Sequence, residues 1–80
     1  MSPSAILLTT ISSGTKVKIA RLIGGRTFKS KITAMGLHVG LVITVIRNES
    51  EGPIVVEAKG VRIALGRGMS EKLSVYRLEK

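Results

Sequence analysis

The sequence predicts a mainly β fold, a small and strongly bent antiparallel barrel of about five strands with one short α-helix between the first and second strands. Eighty residues are enough for one hydrophobic core and too few for two. The 44% hydrophobic content consists mainly of Ile, Leu, Val and Ala, and Gly-containing turns separate short alternating segments. We therefore expect residues 1–80 to form a single domain, in which closure of the barrel hides most strand edges.

The first two predicted strands lie on either side of the helix. Residues 16–20 follow a Ser-Ser-Gly turn and alternate polar and apolar side chains, as a half-buried strand does. The alternation slips at Ala20 and Arg21, which predicts a bulge or the end of this strand. Residues 41–48 contain a run of β-branched side chains and form the second predicted strand.

The helix is predicted at residues 27–35, with Thr27 as its N-cap. Phe28, Ile32 and Met35 are spaced as one side of about two helical turns. Basic residues near the start of this segment oppose the helix dipole. The helix must therefore be held by packing of its apolar side against the sheet.

A corner with two glycines follows the helix. Gly36 stands where a residue with positive φ commonly ends a helix, and Gly40 allows a sharp entry into the next strand. We assign a structural role to Gly36, Leu37 and Gly40, which turn the chain from helix to strand.

The second half of the chain contains the remaining three strands. A loop at residues 49–52 opens a hairpin, Gly60 makes a tight turn, and residues 67–72 form a Gly-flanked corner with at most one 3₁₀ turn. The three strands are predicted at residues 54–59, 61–65 and 73–78.

One parity of each strand and the apolar side of the helix should supply the core. The expected core residues are Val17, Ile19, Ile32, Met35, Leu37, Ile43, Val45, Ile54, Val56, Ile63, Leu65 and Val75.

The charge balance favours anionic partners. Thirteen Lys and Arg residues against five Asp and Glu residues give a formal net charge of +8. The resulting field attracts nucleic acid, acidic protein surfaces or the inner leaflet of a membrane, without choosing among them. The N-terminal apolar stretch has no basic residue before it, and the longest uncharged interior run, residues 36–46, is too short to span a membrane. We expect a cytoplasmic protein.

No catalytic, metal or cofactor site is predicted. The chain has no cysteine and a single histidine, His38, so the usual ligands for a tetrahedral metal site are missing. Glu49 and Glu51 share a predicted turn, and no carboxylate is placed in an apolar pocket that would suit general acid–base catalysis. The Gly-Gly-Arg and Gly-Arg-Gly turns at residues 24–26 and 66–68 lack the spacing of a phosphate-binding loop. We expect no enzyme activity, no cofactor and no small-molecule substrate.

Binding to nucleic acid is the alternative function from a different class. A small basic barrel of the kind found in translation proteins could hold RNA through its phosphates. Recognition of single strands relies on exposed aromatic side chains, and the chain offers only Phe28 and Tyr76. Nucleic acid is therefore the less favoured partner.

The order and spacing of several short motifs resemble the FeoA family, small cytoplasmic partners of the bacterial ferrous iron transporter. An opening Leu-x-x-Ile-x-x-Gly is formed by Leu8, Ile11 and Gly14, and a strand, a Gly-Gly corner and a basic helix follow it. Residues 35–40 then read Met-Gly-Leu-x-x-Gly before a long aliphatic strand.

The second half resembles the family as well. Residues 51–53 read Glu-Gly-Pro before the return strand, and residues 60–67 form a second glycine-rich strand that precedes the closing Val75. The resemblance spans residues 8–76. The family usually has proline in a Gly-Leu-x-Pro-Gly corner, where this chain has Val39; the difference changes the rigidity of the turn rather than the topology.

The resemblance implies an SH3-like barrel and a non-enzymatic role beside the transporter's membrane subunit. The implied partner is that subunit's cytosolic GTP-binding domain, and an anionic membrane surface is a further candidate. The resemblance leaves open whether GTP hydrolysis is modulated. The same domain type occurs at the C-terminus of metal-dependent transcriptional repressors, but we expect no helix-turn-helix domain before it in this chain.

The candidate partner-binding residues are Arg26, Lys29 and Lys31. They stand on the outward side of the predicted helix, whose other side is committed to the core, so folding does not require them. The alternative is a solvated helix face that contacts nothing, and the sequence leaves this choice open.

Overall fold

The computed structural model describes residues 4–49 and 51–78. Its elements are β1 (Ile6–Leu7), a 3₁₀ turn (Leu8–Thr10), β2 (Lys16–Leu22), α1 (Arg26–Ala34), β3 (Val42–Arg47), β4 (Ile54–Ala58), β5 (Val61–Leu65), α2 (Arg67–Ser70) and β6 (Leu73–Arg77). The six strands form one antiparallel sheet in the order β1-β6-β2-β3-β4-β5. The predicted mainly β architecture is confirmed. No helix in the described residues is long and apolar enough to cross a membrane.

The sheet differs from the expectation at its edges. The structure adds β1, a two-residue strand in which Ile6 lies opposite Val75 of β6. The sheet order ends at β1 and β5, so the sheet is open, which corrects the expectation that closure hides most edges. Closure would require β1 to pair along β5, and a strand of two residues is too short for this.

The predicted irregularity in the first long strand is present. The pairing of β2 with β6 shifts register between Ile19 and Arg21, which is the position of the slip in the sequence. The corner at residues 67–72 is more helical than expected, because it contains α2. It does end in a 3₁₀-type turn, in which the Lys72 N–H donates to the Met69 carbonyl over 3.0 Å.

A single aliphatic core fills the space between the sheet and α1. Ten of the predicted core residues are buried, whereas Met35 and Ile63 are only partly buried and pack against the core. Ile63 lies on the edge strand β5 and Met35 at the end of α1, so each has fewer neighbours. The core also contains Phe28, from the apolar side of α1, and five residues that the strand pattern did not assign to it: Leu8, Ile11, Leu41, Ala58 and Leu73.

Helix α1 begins differently from the prediction and ends as predicted. Its N-cap is Gly25 and no side chain caps it, so the assignment of Thr27 as N-cap is wrong. At its end the Gly36 N–H donates to the Thr33 carbonyl over 2.9 Å, and the Leu37 N–H donates to the Ile32 carbonyl over 3.2 Å. These two bonds and a φ of +89° at Gly36 form a Schellman motif.

The corner after α1 continues directly into the sheet. Gly40, with φ +94°, donates its N–H to the Ile19 carbonyl over 2.8 Å, and the Ile19 N–H donates to the Leu41 carbonyl over 2.9 Å. The chain thus leaves α1 already paired with β2. This pairing anchors the end of the β2–β3 connection that carries the helix.

A polar network ties together loops that are far apart in sequence. The Asn48 side-chain amide donates to the carbonyls of Thr9 and Ile11 over 3.0 and 2.7 Å. Its oxygen accepts from Arg67 Nη2 over 2.9 Å, and Arg67 Nε donates to the Gly52 carbonyl over 3.1 Å. Asn48 and Arg67 therefore fasten the 3₁₀ turn and the β3–β4 loop to α2.

Truncating a core strand residue should destabilise the fold. Ile43 and Leu65 are 1% and 0% exposed. We expect Ile43→Ala or Leu65→Ala to lower the free energy of unfolding by about 2–5 kcal/mol in urea titrations, because each leaves a cavity. Val42→Ala, beside Ile43 but 40% exposed, is the control and should cost far less. Equal effects of Ile43→Ala and Val42→Ala would contradict the strand parity.

Gly36 should resist substitution for a conformational reason alone. A Cβ at this position would meet no atom within 4 Å, so any cost arises from the positive φ. We expect Gly36→Val to lower the free energy of unfolding by more than about 1 kcal/mol. Gly36→Asn should cost less, since asparagine tolerates this region. The same loss for valine and asparagine in thermal melts would remove the explanation.

Candidate functional site

Packing fixes the rotation of helix α1 and so decides which of its residues face solvent. Phe28 and Ile32 are buried in the core. A Cβ on Gly24 would lie 2.7 Å from Phe28 Cδ2, so only glycine lets the ring pack at this place. On another side, Lys72 Nζ stands 5.3 Å from the ring centroid, within cation–π range.

The three candidate residues are exposed but do not form one compact patch. Arg26, Lys29 and Lys31 are all exposed. Successive helical residues are rotated by about 100°, so Lys29 and Lys31 lie on opposite flanks of the exposed side. Arg26 lies between them. The result is a basic border around the first turns of α1.

Two shallow depressions run along this border. Lys29 lines the first, and Lys31 lines the second, which lies between α1 and α2. Arg26 lines both. The second depression also contains Phe28, Met69, Glu71 and Lys72 and so combines cations with apolar surface.

The cations of α1 make no ion pair within the described part of the chain. The one salt bridge among residues 4–49 and 51–78 joins Arg47 to Glu49 over 3.3 Å, with both side chains well exposed. Arg26, Lys29 and Lys31 are therefore available to an external anion. Their contribution to folding is small, because exposed charges are screened by water and salt.

The corner histidine is not part of a ligand cluster. His38 is exposed, and its Nδ1 lies 3.0 Å from the Val39 carbonyl oxygen. Among the residues that the structure describes, no three His, Cys, Asp or Glu side chains come together in a way that could hold a metal ion.

Sequence reasoning did not single out a second basic surface. Strand register places Lys18 between Tyr76 and Val42 on the side of the sheet that faces away from the core. The signal was present in residues 16–19, where lysine alternates with the buried Val17 and Ile19. Recognising it required knowledge of which strands are neighbours.

Comparison with known proteins places the chain in a family. The FeoA domain model matches residues 6–77. The chain is 34% identical over 62 residues to the "Putative Fe(2+) transport protein A" of Methanocaldococcus jannaschii, a match that covers 78% of this chain and 74% of that protein.

Solved structures agree with this match. The crystal structure of an "Iron Uptake Regulatory Protein (FeoA)" has a TM-score of 0.88 and 31% sequence identity, and the match covers 94% of this chain and 100% of that one. A "Manganese-dependent transcriptional repressor" has a TM-score of 0.87 at 19% identity over 98% of this chain and 44% of its own, which shows a shared fold alone.

The SH3-like fold implied by the motifs is confirmed, with an open sheet. The FeoA domain model, the curated relative and the FeoA crystal structure all match most of the chain. The chain therefore belongs to the FeoA family, which is associated with ferrous iron transport.

Proposed function

We propose that this protein is a non-enzymatic accessory protein of ferrous iron uptake that binds the cytosolic GTP-binding part of a membrane iron transporter. The observation that carries the proposal is the exposed, unpaired basic border of α1 on a chain of the FeoA family. The relative from Methanocaldococcus jannaschii, named for Fe(2+) transport, supports the process.

The basic border is suited to contact with an acidic protein surface. The net charge of +8 steers such a surface towards the protein, and Arg26, Lys29 and Lys31 are free to pair with its carboxylates. Exposed ion pairs contribute little individually, so a stable contact also needs apolar area. Met69, which is half-buried, supplies some of this area in the second depression.

The proposed role places the protein in the cytoplasm, at the inner face of the membrane that holds the transporter. Binding alone is sufficient for this role, and it needs no cofactor or small-molecule substrate. A protein that acts in this way would alter the transporter's assembly or its GTP-binding part by occupying a surface.

Charge reversal on α1 should weaken association with the transporter. We expect Lys29→Glu/Lys31→Glu to fold normally, because both side chains are exposed, and to co-purify less with the transporter in mild detergent. The wild-type interaction should weaken as salt rises. Lys59→Glu/Arg77→Glu is the matched control, since both side chains are exposed outside α1 and the net charge changes equally.

The two variants separate a specific contact from general charge attraction. Loss of co-purification in the α1 variant alone supports the proposed contact, and an equal loss in both variants indicates diffuse attraction. Unchanged co-purification of the α1 variant would contradict the assignment. Tight, salt-sensitive RNA binding without transporter association would favour the RNA-binding alternative.

The isolated protein should have no tight Fe(II) site. The described residues contain no cluster of three ligating side chains, and His38 is exposed on the corner. We expect anaerobic titration calorimetry with Fe(II) to show no stoichiometric submicromolar binding, in the wild type or in His38→Ala. Submicromolar binding by the monomer, lost in His38→Ala, would refute this expectation.

A further inference from the structure

The outer face of the sheet presents cations and apolar side chains in neighbouring strands. Directly opposed residues in an antiparallel pair share a face. In one row, Lys18 of β2 lies between Tyr76 of β6 and Val42 of β3. In the next row, Lys16 lies opposite Thr44.

This face extends to both ends of β2. The Leu78 N–H donates to the Lys16 carbonyl over 3.1 Å, so the chain continues the β6 pairing beside Lys16. Beyond the bulge, Arg21 lies opposite Ser74, and Ser74 lies opposite Leu7 of β1. We call this surface the β2 face; its members are Leu7, Lys16, Lys18, Arg21, Val42, Thr44, Ser74, Tyr76 and Leu78.

The β2 face is basic and also carries three partly exposed apolar side chains. Lys16, Lys18 and Arg21 are exposed and make no salt bridge within the described residues. Leu7, Val42 and Leu78 are 38%, 40% and 37% exposed, and they lie among these cations. A basic surface with apolar side chains among its cations has the composition used in binding at a membrane interface.

The nearest carboxylate across the rows does not neutralise this face. Glu57 of β4 lies opposite Thr44, one strand beyond Lys16, and on its other side it lies opposite Arg62 of β5. Arg62 therefore brings a positive charge to the position opposite Glu57. The β2 face itself has no carboxylate among its members.

We propose that the β2 face binds the anionic headgroups of a phospholipid bilayer. The proposal rests on the proposed function, because the lipid contact would hold the protein beside a membrane transporter. Lysine and arginine attract anionic lipids, while leucine and valine side chains between them enter the boundary of the acyl region. The long stems of Lys16 and Lys18 cover apolar surface while their ammonium groups reach the headgroups.

The shape and composition of the face favour lipid over the other anionic partners. The two depressions suited to a protein contact border α1, whereas the β2 face lies on the sheet surface turned away from the core. Single-stranded RNA would need a stacking platform, and Tyr76 is half-buried. RNA also makes no use of the exposed leucine and valine side chains.

Vesicle sedimentation with the full chain tests the proposal. The vesicles contain either phosphatidylcholine alone or phosphatidylcholine with about 30% phosphatidylglycerol. We expect the wild type to bind only the anionic vesicles, and Lys16→Glu/Lys18→Glu to bind them at least about tenfold more weakly. Lys29→Glu/Lys31→Glu, with the same net charge, should retain most of the binding. Val42→Ser should reduce the fraction of binding that survives high salt.

The outcomes distinguish this proposal from the transporter contact. Vesicle binding that is lost in Lys16→Glu/Lys18→Glu and kept in Lys29→Glu/Lys31→Glu supports the lipid proposal, whatever the co-purification shows. Co-purification that is lost in Lys29→Glu/Lys31→Glu and kept in its matched control supports the α1 contact. Absence of wild-type binding to anionic vesicles overturns the lipid proposal, as does an equal loss in the two variants. If the β2 variant unfolds by circular dichroism, Lys16→Gln/Lys18→Gln replaces it with the same expected direction. RNA binding through the β2 face without vesicle binding also overturns the proposal.

Discussion

The burial of one side of α1 is the interaction on which the arrangement of the surface depends. The helix has no side-chain cap at its start, no acidic residue in its first turn, and a basic residue, Arg26, where the dipole is unfavourable. Local preferences therefore do not hold it in place. The packing of Phe28 and Ile32 does, and the close approach of Phe28 to Gly24 fixes its rotation. Once this rotation is fixed, the three cations must face solvent.

The core separates two basic surfaces that differ in composition. The border of α1 combines cations with shallow depressions, which suits an acidic protein surface. The β2 face combines cations with exposed leucine and valine side chains, which suits a bilayer surface. Under the two proposals, the protein contacts a membrane and a cytosolic domain of the transporter together. Reversing two charges on either surface distinguishes the two contacts.

The fold itself does not select the function. The same architecture occurs in a manganese-dependent transcriptional repressor at 19% identity and in an FeoA crystal structure at 31% identity. Such proteins share the core and sheet, while function depends on the residues that each chain places at its surface. In the described part of this chain, the surface above a small aliphatic core carries exposed lysine and arginine side chains, of which Arg47 makes a salt bridge.

Local patterns in the sequence determined the helix, the long strands, the bulge and the glycine that ends α1, because each depends on residues within a few positions of one another. The outward cations of α1 could be predicted in the same way. Tertiary structure decided the rest. The N-cap of α1 is Gly25 instead of Thr27, and the open sheet follows from how little of β1 can pair. The Asn48 contacts with Thr9 and Ile11 and the position of Lys18 between Tyr76 and Val42 join residues distant in the chain, which no local period can reveal.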